Sequence, residues 1–206
     1  SDISVFSLHP VKTITSGEGG LITTNSKEIY RRSVLIRSHG IKRNINHFHY
    51  DVTETGMNFR LSDLNCMLAI TQLKKINKFI KRRNQLRNLY NNLLNKNKFL
   101  LNKNYNSEGI LSACHLYQIQ LNLKNLKVNR DRIIKELLKK RIVTQIHYIP
   151  IYKHSIYKKL YKGNLKNSEF FYKSTLSLPI FFKLKNSEVS YICKTLNHVL
   201  NKFEIK

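Results

Sequence analysis

FSLHPVKTITSGEGG, residues 6–20, sets a lysine, Lys12, shortly after the apolar run SVFSL at 4–8. That run has the composition of a buried central strand. An amine held rigidly at such a strand end and partly removed from water loses hydration that favours its charged form. The neutral amine can form a Schiff base with an aldehyde cofactor. Ser7, five residues earlier, offers a hydroxyl to a phosphate group. Gly17, Gly19 and Gly20 let the backbone turn closely. By spacing alone, a lysine after a strand is more often an ordinary surface residue.

Outward from this segment, LITTN (21–25) reads as a second strand. Asn25 and Glu28 form a candidate capping box for a helix over about 26–37, stopped by Gly40. Residues 41–55 show no period and read as a long, functional loop. Ser62 caps one long helix, with Leu64, Leu68, Leu73, Ile76 and Ile80 near helical spacing and a weaker continuation through Leu86, Tyr90 and Leu94. Residues 95–108, rich in Asn and Lys, read as a linker. Strands are expected at HLYQIQL (115–121) and RIVTQIHYI (141–149), the latter ended by Pro150. Helices are expected over about 130–140, capped by Asn129, then over 167–174 ahead of LSLP (176–179), and over 187–203. The second part of the chain therefore predicts a compact α+β domain.

The 206 residues suffice for one large or two small domains, and 41% hydrophobic content is ordinary for a globular chain. No run approaches the ~18 apolar residues of a membrane-spanning helix. Cys66, Cys114 and Cys193 are scattered, which signals neither zinc site nor disulfide framework and fits a reducing cytoplasm. The net charge of +25 admits nucleic-acid binding. Against that, the charge runs from Lys12 to Lys206 without a block and rises together with Asn and Ile, as a nucleotide-composition bias would produce. A basic surface also draws in anionic ligands. His47 and His49 invite a metal reading, but no third ligand has helpful spacing. The opening residues lack Met and run straight into a strand, so the chain is expected to be cut from something longer.

HPVKTITSGEGG closely resembles the cofactor-lysine motif of the DegT/DnrJ/EryC1/StrS sugar aminotransferases. RSHGI (37–41), GMNFRLSDLNCMLAITQL (56–73), HLYQIQL, IHYIPIY (146–152) and LSLP match the same family in order. The resemblance implies an α/β, fold-type I, aspartate aminotransferase-like chain that depends on pyridoxal 5'-phosphate (PLP). It covers the second half of enzymes nearly twice this length. It implies that residues 1–75 are the remainder of a PLP-binding large domain, 76–109 the rest of a bridging helix and linker, and 110–206 the α+β small domain. Within the family, HPVK together with HYIP is most similar to enzymes that aminate 4-keto nucleotide sugars for surface glycans.

The resemblance further implies that Lys12 bonds to the cofactor and then moves a proton as acid and base, and that Ser7 binds its phosphate. Asn58 would reach the phosphate bound by the neighbouring subunit of a homodimer. Arg60 would order its block or bind substrate, and His147 and Tyr148 would approach the nucleotide sugar. His9, Glu18, His47, His49 and Tyr50 lie nearby, with packing or exposure as their plainer roles. An amino-acid donor, expected to be glutamate, a cytoplasmic location, and no nucleic-acid or membrane partner complete the expectation. The phosphate-cradling helix, the aromatic that stacks on the cofactor ring and the acid that pairs with its nitrogen would lie outside these residues, leaving this piece inactive alone. Lys166 stands where the family usually has Pro. A member using PLP for dehydration stays open, although related dehydratases carry His at the lysine position. A basic protein that binds nucleic acid or acidic glycan also stays open.

Overall fold

The computed structural model describes residues 1–43, 48–102, 109–160, 163 and 165–205. They divide into two compact units, Ser1–Asn77 and Lys78–Lys206.

In the first unit, β1 (Ile3–Ser7) pairs antiparallel with β2 (Gly20–Thr24), Ser7 opposite Gly20. Residues 8–19 form the connecting loop, much longer than a simple glycine turn. The ribbon is not the buried strand that its composition suggests. Val5 is 72% exposed, and Phe6, Leu21 and Ile22 are about half exposed. Two strands bury side chains only where another layer covers them, and within this unit little does.

α1 (Lys27–Arg37) begins one residue later than the Asn25 box predicts. Ser26 is the cap, its Oγ accepting from Ile29 N at 3.3 Å. Gly40 ends the helix at φ +69, its N–H bonded to Leu35 O. A Cβ there would sit 1.8 Å from Glu54 O, so only glycine lets the two segments meet. The expected loop at 41–55 contains a hairpin instead, β3 (Ile41–Arg43) against β4 (Tyr50–Val52). Strands of three residues are too short to show a period. His49 and Tyr50 are exposed, and His47 falls outside the described residues.

The long helix expected from Ser62 is two. α2 (Asp63–Leu73) and α3 (Ile76–Leu94) are separated at Lys74–Lys75. The break comes directly after the five-residue step from Leu68 to Leu73, over which the apolar stripe slips out of helical phase. α2 buries no residue, whereas α3 buries Arg83, Leu86, Tyr90 and Leu94.

The second unit is built on an antiparallel sheet in the order β5 (Leu100–Asn102), β6 (Tyr117–Leu121), β7 (Thr175–Leu178). α3, α4 (Arg130–Lys139) and α6 (Asn186–Lys202) supply most of the remaining core, in which Leu86, Ile119, Ile133, Leu176, Val189 and Leu196 are almost wholly buried. Asn129 caps α4 as predicted, accepting from Arg132 N. α5 (Lys166–Ser174) begins at Lys166 without a side-chain cap and runs directly into β7. The strand expected at 141–149 is not made. Gln145 forms a single bridge with Ser177, and only Ile142 in that stretch is buried. Alternation supplied the pattern, but β7 accepts one bridging pair on that edge and no ladder follows.

Leu196→Ala should lower stability by about 3 kcal/mol, because the side chain is wholly buried. Lys194→Ala, on the exposed face of the same helix, should change it by less than about 0.5 kcal/mol. Urea denaturation followed by far-UV circular dichroism measures both, and similar midpoints for the two variants would contradict this core.

Candidate functional site

The loop carrying Lys12 is closed at a neck made by Leu8. Leu8 N donates to Gly19 O at 2.9 Å, and Leu8 O accepts from Ser16 N at 3.0 Å and Thr15 Oγ1 at 2.8 Å. Leu8 and Ser16 are both buried, so water competes poorly for these bonds. Ser16 Oγ donates to Glu18 O at 2.6 Å. Gly19, at φ +146, leaves room that a Cβ would take from Ser16 Oγ and Leu61. From α2, Asn65 Nδ2 donates to Ser16 O at 2.5 Å. Asn65 was not foreseen as a site residue. Its signal was an amide in the first turn of a largely apolar helix.

Lys12 sits half-buried in this loop rather than at the strand end, its N–H donating to His9 O at 2.9 Å. Its backbone is fixed while its amine has no ion-pair partner among the described residues. His9 is exposed, not buried. Its Nδ1 accepts from Val11 N at 3.3 Å, and its Nε2 lies 3.8 Å from Glu18. Ser7 is exposed, and its oxygen accepts one long bond from His9 N at 3.4 Å. Its hydroxyl proton has no acceptor among the described residues. A loop-borne primary amine plus an uncommitted hydroxyl on the preceding strand fits a ligand bearing both an aldehyde and a phosphate.

Asn58 is exposed on a segment ordered entirely by backbone bonds. Met57 N reaches Ile36 O at 2.9 Å, His39 N reaches Met57 O at 3.0 Å, and Phe59 N reaches Arg37 O at 2.9 Å. Arg60 lies on the same segment, its side chain exposed with no hydrogen bond among the described residues. No hydrogen bond joins Asn58 to the Lys12 loop among the described residues.

His147 and Tyr148 belong to the second unit. They border a cleft of about 500 Å³ whose walls include Tyr152, Phe171 and Tyr172. The His147 ring meets Tyr148 edge-on at 4.7 Å, and its Nδ1 lies 2.8 Å from Ser177 Oγ. Two cations back Tyr172, with Arg130 5.0 Å and Lys153 5.5 Å from the ring centroid. Lys153 also pairs with Glu169 at 2.6 Å, and Tyr152 OH donates to the same carboxyl at 3.1 Å. The Lys153 hydrogen bond, aided by Tyr152 and opposed by desolvation, holds Glu169 below the usual carboxylate range. Among the described residues, no group of three or more His, Cys, Asp and Glu could hold a metal ion, and no helix is long and apolar enough to cross a membrane.

This chain belongs to the DegT/DnrJ/EryC1/StrS aminotransferase family, whose profile matches residues 1–197. A Campylobacter jejuni (strain 81-176) protein named UDP-4-amino-4,6-dideoxy-N-acetyl-beta-L-altrosamine transaminase is 36% identical over 207 residues. The match takes in 98% of this chain and 53% of that protein, so the chain spans about half the length of its curated relative. The solved structure of Helicobacter pylori PseC, described as an aminotransferase in pseudoaminic acid biosynthesis, is similar at TM-score 0.88 and 31% identity, over 98% of this chain and 54% of that one. Spr1654 from Streptococcus pneumoniae, in its PLP-form, is similar at TM-score 0.87 and 27% identity, over 98% and 52%. The fold is accordingly that of the fold-type I, α/β class expected from the sequence.

Because the folded-state pKa of Glu169 is depressed, its ion pair stabilises the fold above the usual carboxylate range and loses that effect as pH falls through the lowered value. Glu169→Gln should therefore lower the urea midpoint at neutral pH, and the gap from wild type should shrink at about pH 3. A gap that stays constant across this range would show that the carboxylate charge contributes nothing.

Proposed function

We propose that the protein containing this chain transfers an amino group from an amino acid, glutamate by preference, to a UDP-4-keto-6-deoxy-hexose in surface glycan synthesis. The observation that carries this reading is Lys12 on a loop pinned at both ends within HPVKTITSGEGG. The 36% identity to a named UDP-sugar transaminase supports the substrate class, and the PLP-form of Spr1654 supports the cofactor. Residues 1–75 would serve as part of the cofactor domain, 76–109 as the crossing segment and 110–206 as the small domain. The reaction would take place in the cytoplasm.

Lys12 Nζ would hold the cofactor, and Ser7 Oγ would donate to its phosphate. Bound there, PLP supplies an electron-withdrawing ring that stabilises negative charge at the reacting carbon. The Lys12 amine would then carry the proton to and from the carbon that gains or loses nitrogen. The immobile backbone of the loop keeps that amine within reach, which is where positioning lowers the barrier. Asn58, exposed on a rigid segment, suits a bond to the cofactor phosphate of a second subunit, making a homodimer with shared sites. His147 and Tyr148 suit the nucleotide-sugar side.

Borohydride treatment of the PLP-loaded protein should fix the cofactor to the peptide bearing Lys12, read by mass spectrometry. Attachment at another lysine would overturn the site, and turnover surviving Lys12→Ala would overturn the chemistry.

Mixing an Asn58→Ala protein with a Lys12→Ala protein should restore part of the activity each has lost, because one site in the mixed dimer keeps both residues. Absence of recovery in dimers shown to have exchanged subunits would contradict a shared site.

A further inference from the structure

Among the described residues, one hydrogen bond reaches loop 8–19 from outside the β1–β2 ribbon, and it runs from Asn65 Nδ2 to Ser16 O. Ser16 closes the turn that bears Lys12. Its N–H donates to Leu8 O across that turn, its hydroxyl donates to Glu18 O, and the residue is wholly buried. Its carbonyl has the Asn65 amide as its one donor among the described residues. A carbonyl only accepts, so the amide end facing it is the NH2 group. The other end agrees. Ser62 Oγ accepts from Asn65 N at 3.3 Å, and its own proton goes to Asn65 Oδ1 at 2.5 Å. The cap of α2 thus aims the Asn65 amide at the lysine loop. Gly17 and Gly19 follow Ser16, so the backbone can swing away once that anchor is lost.

We propose that Asn65 is a positioning residue for the transfer reaction: its amide, donated to Ser16 O, sets where the loop holds Lys12 and so brings the Lys12 amine to the aldehyde of PLP. The part that involves PLP rests on the functional reading above, whereas the anchor rests on this geometry alone. Loss of the donor leaves a wholly buried carbonyl unpaired, and the loop relieves that by moving its Ser16 end. A residue that merely started the helix would respond differently. Asn65 is the third residue of α2, where the helix dipole and the capping pattern both favour a carboxylate. Asp in its place keeps the shape and suits the helix, but turns an oxygen toward Ser16 O. The two roles therefore give Asn65→Asp opposite signs.

The intact protein, with Asn65→Asp and Asn65→Ala, tests both parts. Without cofactor, hydrogen exchange read by mass spectrometry should show the 8–19 peptide exchanging roughly tenfold faster in both variants, as loss of one buried bond implies. Peptides from α4 and α6 should exchange as in wild type, and α2 in Asn65→Asp no faster than wild type. With PLP, the concentration that gives half-maximal borohydride fixation at Lys12 should rise roughly tenfold in both variants. Wild-type exchange of the loop in Asn65→Asp would reduce Asn65 to a helix-starting residue and overturn the anchor. Faster exchange throughout the chain would make it a residue of general stability and overturn the positioning role. A loosened loop with unaltered PLP half-saturation would overturn that role as well. If wild type took up no PLP, the functional reading would fall, while loop exchange, recorded without cofactor, would still decide the anchor.

Discussion

Leu8 has both of its backbone groups engaged in closing the loop that presents Lys12. Its N–H holds the far end of the loop at Gly19, and its carbonyl takes two donors from Thr15 and Ser16. A loop of this length between paired strands would otherwise sample many conformations, at about 1–2 kcal/mol of backbone entropy for each residue fixed. Here the ordering is shared among the Leu8 neck, the Ser16 hydroxyl inside it and Asn65 from α2. Gly19 lets these groups converge where any side chain would collide. Lys12 thus gains a fixed starting point while its amine has no ion-pair partner among the described residues.

The second unit solves a related problem with different parts. α3 sends Arg83 into the core, where it meets the carbonyls of Cys114, His115 and Ile180 instead of a carboxylate. Burial among neutral dipoles pushes its pKa down, yet the carbonyls together replace the lost water. About two helical turns further on, Tyr90 stacks on Tyr117 at 4.5 Å and donates to Pro179 O at 2.8 Å. Both residues therefore hold the chain where it leaves β7, close in sequence to Ser177.

Sequence patterns revealed the elements whose signal is periodic or capped. α4 has Asn129 and a strong apolar stripe, α6 has Val189, Ile192, Leu196, Val199 and Leu200 on one side, and β6 alternates within a buried sheet. Signals failed where local pattern and long-range contact diverge. Residues 141–149 alternate like a strand, but the edge of β7 gives them only one bridge at Gln145. β3 and β4 escape notice because three residues carry no period. Lys12 and Ser7 were singled out by the resemblance of HPVKTITSGEGG to a cofactor-lysine motif, and His147 by that of IHYIPIY. Asn65 was not legible as part of the loop's support, because its partner Ser16 is 49 residues away.

Charge completes the physical picture. Thirty-seven Lys and Arg face twelve Asp and Glu, so carboxylates are outnumbered wherever the chain folds. Glu136 shows the result. It lies among Arg132, Lys139 and Lys202, and its pKa is drawn down first by the Lys139 hydrogen bond. Glu169 is held the same way by Lys153. Such pairs, with the carboxylate half-buried, make a modest contribution to stability. Each leaves a surplus of positive charge around it. In low salt that surplus extends over about 10 Å or more, favouring the approach of a doubly charged phosphate ester over a neutral sugar. The same field gives no orientation to what it attracts. Orientation has to come from short-range groups fixed in direction, such as the hydrogen-bonded backbone of the Lys12 loop.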